Sequence, residues 1–461
     1  MATKRRKLES EAPGVISRKV TINDLPPEFL SQIFNFLPAV DLFRSRAVCK
    51  RWRDFGSEGW PGVRTLDLIA IEKLKNKSSF IPGPKRKNRF ANDDEYPSLN
   101  ERFAVDYPQI LSLRGKFAKV LKIPVASSFD MIRIAAESCR NLTSIVIRFQ
   151  TFEDKWRHCR DLETLFENSR GTLRRVVLEN VGRDFSTHAD CLLELPEELV
   201  ELQLWGYKAH FASYLETITT PSFEFFIPAI QRLKKLQILV LNGLSIDGSQ
   251  LEMIGNFHDL RYLEILWSFP ANSTLPDIEV ISTCCELEYL SLHKLKAMGV
   301  VWFDNLVKNN PNLKHFKLQY CKLRAKLIER LSALSKLETL SLTNLLLPKR
   351  TDFRGFTHLK KFICSDVQNH HVKVLLEAAP ELNFLNLRDS KNITSEVLNT
   401  AHEVTTARTN GIPLHIVVPD NVLEKWEIPW KISPLLILES TAIFNETTRG
   451  GYDGNVEEIF Y

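Results

Sequence analysis

The sequence of 461 residues contains no apolar run approaching the roughly 18 residues that a membrane helix needs, so no membrane partner is expected. It opens Met1-Ala2-Thr3-Lys4-Arg5-Arg6-Lys7 with no apolar segment behind it, and a secretory leader is not expected either. No two cysteines stand as CxxC. Cys49, Cys139, Cys159, Cys191, Cys284, Cys285, Cys321 and Cys364 are scattered, which fits reduced thiols in a reducing compartment. Also missing are a GxGxxG or phosphate-binding loop, an HExxH pair and a GxSxG elbow, so no catalytic residue, metal site or cofactor is expected. The remaining candidates are better read as structure. His370-His371 lacks ligand partners at suitable spacing and reads as surface. Cys284-Cys285 and Cys139 read as core at helix ends, and Glu194-Leu195-Pro196-Glu197-Glu198 reads as a surface turn or helix.

What is present is ample core. Hydrophobic residues make up 44% of the chain and charged residues 25%. The net charge of +5 is unevenly divided. Residues 1–20 carry six basic and two acidic side chains, and residues 72–90 carry seven and one. The rest is therefore mildly acidic, at −5. The basic clusters Lys4-Arg5-Arg6-Lys7 and Pro84-Lys85-Arg86-Lys87-Asn88-Arg89 have the nuclear-import composition. They suit a protein found in both nucleus and cytoplasm. Neither has the interleaved aromatics of a single-strand nucleic-acid platform, and nucleic acid is not the expected partner.

A repeat governs most of the chain, with apolar residues at i, i+3 and i+5. It runs through Leu142/Ile145/Ile147, Leu173/Val176/Leu178, Leu199/Leu202/Leu204, Leu236/Leu239/Leu241 and Leu260/Leu263/Ile265. It continues through Leu287/Leu290/Leu292, Leu313/Phe316/Leu318, Leu337/Leu340/Leu342, Leu359/Phe362/Cys364 and Leu382/Leu385/Leu387. Weaker copies stand at Val63/Leu66/Leu68 and Ala118/Leu121/Ile123, and Leu414 with Ile416 suggests a last strand. From Leu236 onward the spacing is 22 to 27 residues. The i+3 and i+5 residues alternate onto one face of a short strand. Between strands, Leu327/Ile328/Leu331/Leu334 and Val372/Leu375/Leu376/Ala379 are one-sided helix patterns. The period resembles the leucine-rich repeat, in its cysteine-containing or ribonuclease-inhibitor-like subclasses. An irregular helical repeat is the alternative, but it does not account for the persistent phase.

Ahead of the repeats, Asp24 can cap a helix, Pro26 or Pro27 suits its first turn and Pro38 ends it. Between Phe29 and Leu37, six of nine residues are apolar, Phe29/Ile33/Leu37 forming one stripe and Leu30/Phe34 widening it. Further helices are expected near Asp41–Ala47 and from Val48 to Gly56. So small a unit lacks the volume to bury all of this and should dock onto something else, a protein partner or the solenoid end. Leu25-Pro26, Ile33-Phe34, Leu37, Asp41-Leu42, Val48-Cys49-Lys50 and Trp52 resemble the F-box motif in order and spacing. Phe29-Leu30 departs from it, since many members have a smaller apolar run there.

The chain is thus similar to the F-box and leucine-rich-repeat family. That resemblance implies an α/β fold: a leucine-rich-repeat solenoid, or horseshoe, behind a small three-helix F-box. It implies binding to the Skp adaptor and through it to a cullin–RING ubiquitin ligase, with the repeats holding a protein substrate for ubiquitination and proteasomal degradation. Leu25, Pro26, Leu30, Ile33, Leu37, Leu42, Val48, Cys49 and Trp52 would then form either the adaptor face or the F-box core. The expected division is a basic N-terminus at 1–20, the F-box at 21–62, irregular first repeats at 63–125 with an insertion at 72–100, the solenoid at 126–420, and a cap and tail at 421–461. On the strands, i+2, i+4 and i+6 should face the concave surface. That sets Trp205, Ile238, Val240, Tyr262, Leu266 and Tyr289 side by side on a solvent face, with His315 beside them, as substrate-binding candidates. A rival reading is a nuclear scaffold or nucleic-acid-associated repeat protein that uses the basic tracts.

Overall fold

A computed structural model describes residues 21–37, 45, 48–58, 64–70, 107–125, 130–149, 159–182, 189–206, 221–246, 248–266, 279–284, 286–293, 299–321, 323–427 and 431–441. The two basic tracts, Leu42 and almost all of the helix expected at Asp41–Ala47 lie outside these residues.

Fourteen strands form one parallel sheet in strict chain order. They are β1 (Thr65–Asp67), β2 (Val120–Val125), β3 (Ser144–Phe149), β4 (Arg175–Val181), β5 (Glu201–Gly206), β6 (Ile238–Asn242) and β7 (Tyr262–Leu266). Then come β8 (Tyr289–His293), β9 (His315–Gln319), β10 (Thr339–Thr343), β11 (Lys361–Cys364), β12 (Phe384–Asn386), β13 (Leu414–Val418) and β14 (Leu436–Ser440). Every copy of the repeat, the two weaker ones included, carries a strand at the expected phase. The i+3 residues pair in register from strand to strand: Leu121 with Ile145, Ile145 with Val176, Val176 with Leu202, Leu202 with Leu239, Leu239 with Leu263 and Leu263 with Leu290. Each is fully buried. With strands about 4.8 Å apart, each inward side chain rests on its counterpart in the next repeat, so the core is one continuous column.

The sheet also runs past residue 420, where a cap was expected. β14 pairs with β13 through Ile416–Leu438 and Val418–Ser440. Ser440 fills the i+5 place there, and one polar residue hides the strand from an apolar pattern.

Two helices precede the sheet, α1 (Pro27–Asn35) and α2 (Lys50–Glu58). Helices and 3-10 turns connect the strands, among them α3 (Tyr107–Arg114), α4 (Met131–Ser138), α5 (Cys159–Ser169), α6 (Ile227–Ile230), α7 (Val300–Asn309), α8 (Ala325–Arg330), α9 (Asn369–Ala378) and α10 (Glu396–Ala407). The one-sided patterns fall on α8 with its following 3-10 turn and on α9, their apolar residues buried. In α7, Trp302 and Phe303 close on Phe316 of β9 with ring centroids 6.5 and 6.4 Å away. Cys139 and Cys284 are buried as expected, and burial pushes the Cys139 thiol up to about 12. His371 departs from its surface reading, although its neighbour His370 is exposed. It is buried against Phe353, its Nδ1 accepting from the Gln368 N–H at 3.3 Å and its Nε2 facing the Lys349 carbonyl at 3.1 Å.

At i+7, near the strand ends, several repeats take a left-handed backbone. Asn180, Gly243, Tyr320 and Asn344 occupy that place in four repeats, with φ of 60°, 67°, 55° and 53°. Glycine and asparagine adopt this left-handed region readily, but a tyrosine there is uncommon. Gly206, at i+7 of its own repeat, is required for another reason. A Cβ on it would stand 2.0 Å from the Gly243 carbonyl oxygen. Along the i+1 rim, charges of alternating sign tie repeats together. Glu288 lies between Arg261 (3.7 Å) and Lys314 (2.7 Å), and Lys360 meets Glu338 at 2.8 Å.

Candidate docking faces

The N-terminal unit is two-sided. Thr21 donates from its N–H and Oγ1 to Asp24, both at 2.8 Å, closing a one-turn 3-10 segment over Ile22–Asp24. Asp24 therefore caps this turn and not α1, whose N-cap is Pro26. Proline at N1 suits the fixed φ of the ring and leaves no N–H unsatisfied. Arg51 of α2 then clips the entry loop, donating to the Leu25 carbonyl at 2.7 Å and to that of Asn23. Trp52 Nε1 donates to Asn23 Oδ1 at 2.7 Å, and the Trp52 N–H donates to Cys49 Sγ at 3.4 Å.

The helix α1 divides its apolar residues between two directions. Leu30 and Phe34, four apart, are buried in the same contiguous core as Leu66, Ile110 and Leu111 of the first repeats. Phe34 meets Trp52 edge-to-face at 5.2 Å, and Leu25, Leu37 and Trp52 pack partly against that core. The other side stays open: Phe29 is 56% exposed, Ile33 38%, Phe36 89% and, past the helix, Val48 60%, with Pro26 exposed beside them. The sequence grouped Phe29, Ile33 and Leu37 as one stripe. In the fold Phe36 takes the outward place and Leu37 turns in. Leu30, Leu37 and Trp52 thus belong to the unit's interior, with Leu25 and Cys49 half-buried, while Pro26, Ile33 and Val48 are available to a partner.

The concave candidates form a cluster, but not on an open face. Ile238, Val240, Tyr262 and Tyr289 are buried, and Trp205 packs against them half-covered, as Leu266 is half-covered at the rim. The expected solvent exposure is therefore wrong for four of the seven residues. In-register strands stack like positions on one another, so Tyr262 and Tyr289 lie ring on ring, centroids 3.9 Å apart and nearly parallel. Sequence reasoning missed Glu264, which joins them: it accepts from both tyrosine hydroxyls, at 3.1 and 3.0 Å, and is itself buried. Burial, then the Glu264 charge, pushes both tyrosine hydroxyls well above their ordinary value. A second network lies beside it. Arg175 pairs with buried Glu201 at 2.8 Å, Gln203 donates to Glu201 at 2.6 Å, and Trp205 Nε1 donates to Gln203 at 3.0 Å. Buried charge of this kind is retained only when hydrogen-bonded, as both carboxylates are.

Beyond the tyrosine pair, His315 and Lys317 are half-buried and Lys361 is exposed, beside buried Thr339 and Ser341. His315 Nδ1 lies 3.0 Å from Thr339 Oγ1, and Lys317 Nζ sits over the Tyr289 ring at 4.9 Å. Burial, then the Lys317 charge, holds the His315 imidazole down at about 4. Burial also lowers the Lys317 ammonium, with Glu264 partly opposing the shift and Lys361 adding to it. Among the described residues no group of three or more His, Cys, Asp or Glu side chains is placed to hold a metal ion, and no helix is long and apolar enough to cross a membrane.

Comparison with known proteins agrees with the N-terminal geometry. Residues 22–60 match the family model described as F-box-like. No curated protein matches the sequence. Among solved structures, a chain of the Rad7 and Elc1 complex in yeast is 15% identical, over 89% of this chain and 92% of that one, with a TM-score of 0.48. A chain of the TLR13–ssRNA13 complex is 19% identical, over 62% of this chain and 41% of that one, with a TM-score of 0.38. With its helices clipped together by Arg51 and Trp52, the chain carries an F-box-like domain at residues 22–60 ahead of repeats stacked in one fourteen-stranded parallel sheet.

Proposed function

We propose that this protein is a non-catalytic substrate-recognition subunit of a Skp–cullin–F-box ubiquitin ligase. The observation that carries the reading is the outward stripe of the F-box-like unit: Pro26, Phe29, Ile33, Phe36 and Val48 exposed together while Leu30 and Phe34 anchor the same helix to the solenoid. An apolar excess that a unit keeps on its outer side, although its inner side already has a partner, marks a protein-binding face. On this reading the stripe receives a Skp-type adaptor and the repeats hold a substrate protein. Leu30 and Phe34, which share one hydrophobic cluster with the first repeats, would join the two faces, so a captured substrate lysine would be presented at high local concentration to a ubiquitin carrier held elsewhere in the assembly. The basic clusters Lys4–Lys7 and Lys85–Arg89 would carry part of the pool into the nucleus.

The test is co-purification with a Skp-type adaptor. Phe29→Glu with Ile33→Glu should abolish capture and leave thermal unfolding of the solenoid unchanged. Adaptor binding that survives this pair, or no adaptor binding by the wild-type chain, sinks the reading. Salt-dependent nucleic-acid binding in place of adaptor capture would favour the scaffold alternative.

A further inference from the structure

Lys and Arg side chains stand on the concave face at both ends of the sheet, with none on β5–β8, and most of them meet a carboxylate close by. Lys122 meets Asp67 at 3.4 Å, Arg148 meets Glu179, and Arg175 meets Glu201 at 2.8 Å. Arg388 meets Asp389 at 3.4 Å and His415 meets Glu439 at 2.8 Å. Lys317 of β9 and Lys361 of β11 break the rule: among the described residues neither is in an ion pair. Only β10 separates them. It presents the small hydroxyl residues Thr339 and Ser341, in register with His315 and Lys317 on one side and with Lys361 and Ile363 on the other. Both ammonium groups act on the His315 ring and Lys361 acts on Lys317, while Glu264, which accepts from two tyrosine hydroxyls, offsets the Lys317 charge only in part.

The same three repeats also carry an apolar anomaly. The i+7 turn is filled by asparagine or glycine in the repeats ending β4, β6 and β10, but by Tyr320 after β9, at φ 55°. This tyrosine rests on buried His293 at 5.0 Å between ring centroids and is 44% exposed. Its N–H donates to the Thr343 carbonyl at 3.1 Å, which sets it at the end of β10. Three residues beyond Thr343 comes Leu346, 83% exposed between buried Leu345 and Leu347. A strained aromatic held open to solvent persists where the surroundings use it. From the His315–Lys361 level to Tyr320 is roughly 16 Å along the strand, the span of about five extended residue steps.

We propose that β9–β11 form the docking surface for an extended acidic segment of a substrate protein, its carboxylates on Lys317 and Lys361 and a flanking apolar side chain on Tyr320 and Leu346. This rests on the reading of the solenoid as a substrate holder and moves the contact from the buried tyrosine pair to the repeats beside it, where Lys317 is half-buried and Lys361 exposed. Charge complementarity selects the occupant: Glu264 offsets the Lys317 charge only in part and Lys361 is in no ion pair among the described residues, so an acidic segment is attracted where a basic one is repelled.

The experiment presents the purified full-length chain with an array of random twelve-residue peptides. Retained peptides should be enriched in Asp and Glu next to an aliphatic or aromatic residue. Lys317→Glu with Lys361→Glu should reverse the charge preference, and Lys361→Gln alone should weaken it several-fold if the double variant does not fold. Tyr320→Gly, which also relieves the backbone, should remove the apolar preference and leave thermal unfolding unchanged or raised. An unenriched array, a charge preference unmoved by the lysine variants, or single-stranded RNA retained in place of peptides overturns the proposal. Adaptor capture is measured on the same preparations. If capture is intact and the array shows no acidic preference, this surface is wrong; if the array shows the preference and no adaptor binds, the ligase reading is wrong.

Discussion

The F-box-like unit and the solenoid are built from similar proportions of apolar residues and dispose of them in opposite ways. Each solenoid strand sends i+3 and i+5 inward, and the next repeat covers them, so Leu263 or Leu290 has no exposed surface. The helix α1 splits its apolar residues, Leu30 and Phe34 inward, Phe29 and Ile33 outward. What separates the two is not hydrophobicity but the presence of a next copy. A repeat always has a neighbour of the same shape, whereas among the described residues the F-box-like unit has a neighbour on one side only, and on the proposed reading an adaptor covers the other.

The sharpest way to break this comparison is to delete the same kind of side chain from both places. Leu263→Ala removes a fully buried side chain from the middle of the column and should cost about 2–5 kcal/mol. Leu30→Ala should fall in the same range. Ile33→Ala should stay within about 0.5 kcal/mol in stability, as surface substitutions do, while adaptor capture falls. Chemical denaturation followed by circular dichroism measures all three. An Ile33→Ala loss as large as that of Leu30→Ala would mean that the outward stripe is not outward.

Next in size is the close approach of neighbouring repeats. Gly206→Ala forces its new methyl against the Gly243 carbonyl, which is backbone and cannot swing aside. The expected loss is about 1–3 kcal/mol, the range for overpacking, read as a fall in melting temperature. Gly171→Ala, with nothing near its added Cβ, should change stability little. Equal effects at the two glycines would show that the repeats are not packed so closely at this turn.

Which residues face the core was legible in the repeat, because the i, i+3, i+5 phase is the imprint of burial itself: twelve copies, twelve strands. Leu414 and Ile416 marked a thirteenth, and β14 escaped only because Ser440 sits where an apolar residue would have signalled it. The orientation of α1 was not legible, since six apolar residues in nine leave no unique face and the fold alone decides that Phe36, not Leu37, points out. On the concave side, alternation tells which side of the sheet a residue takes but not whether its neighbours will cover it. Tyr262 and Tyr289 were placed on the right side and given the wrong exposure, because ring-on-ring stacking between repeats is invisible within either one. The signal for Glu264 was available: an acid in the i+4 place, two residues after one tyrosine and in register beside the repeat that carries the next.

The smallest expected effect sharpens the contrast between neutralised and crowded cations within the concave face. His315 is held at about 4, below its ordinary 6.5, by burial first and then by Lys317, with Lys361 and Lys314 adding to it and Glu338 opposing. Its folded pKa is depressed, so the unfolded chain takes up the proton first. Stability is therefore full above about pH 6.5 and declines as pH falls toward 4, where the native imidazole at last protonates. Lys317→Gln removes the largest charge acting on the ring and keeps most of the covering volume. The His315 titration, followed by NMR, should then move up toward 6.5, and the acid-side decline in melting temperature should shrink with it. If His315 titrates unchanged without the Lys317 charge, burial alone sets its value, and the crowding of cations across β9–β11 is weaker than their lack of partners implies.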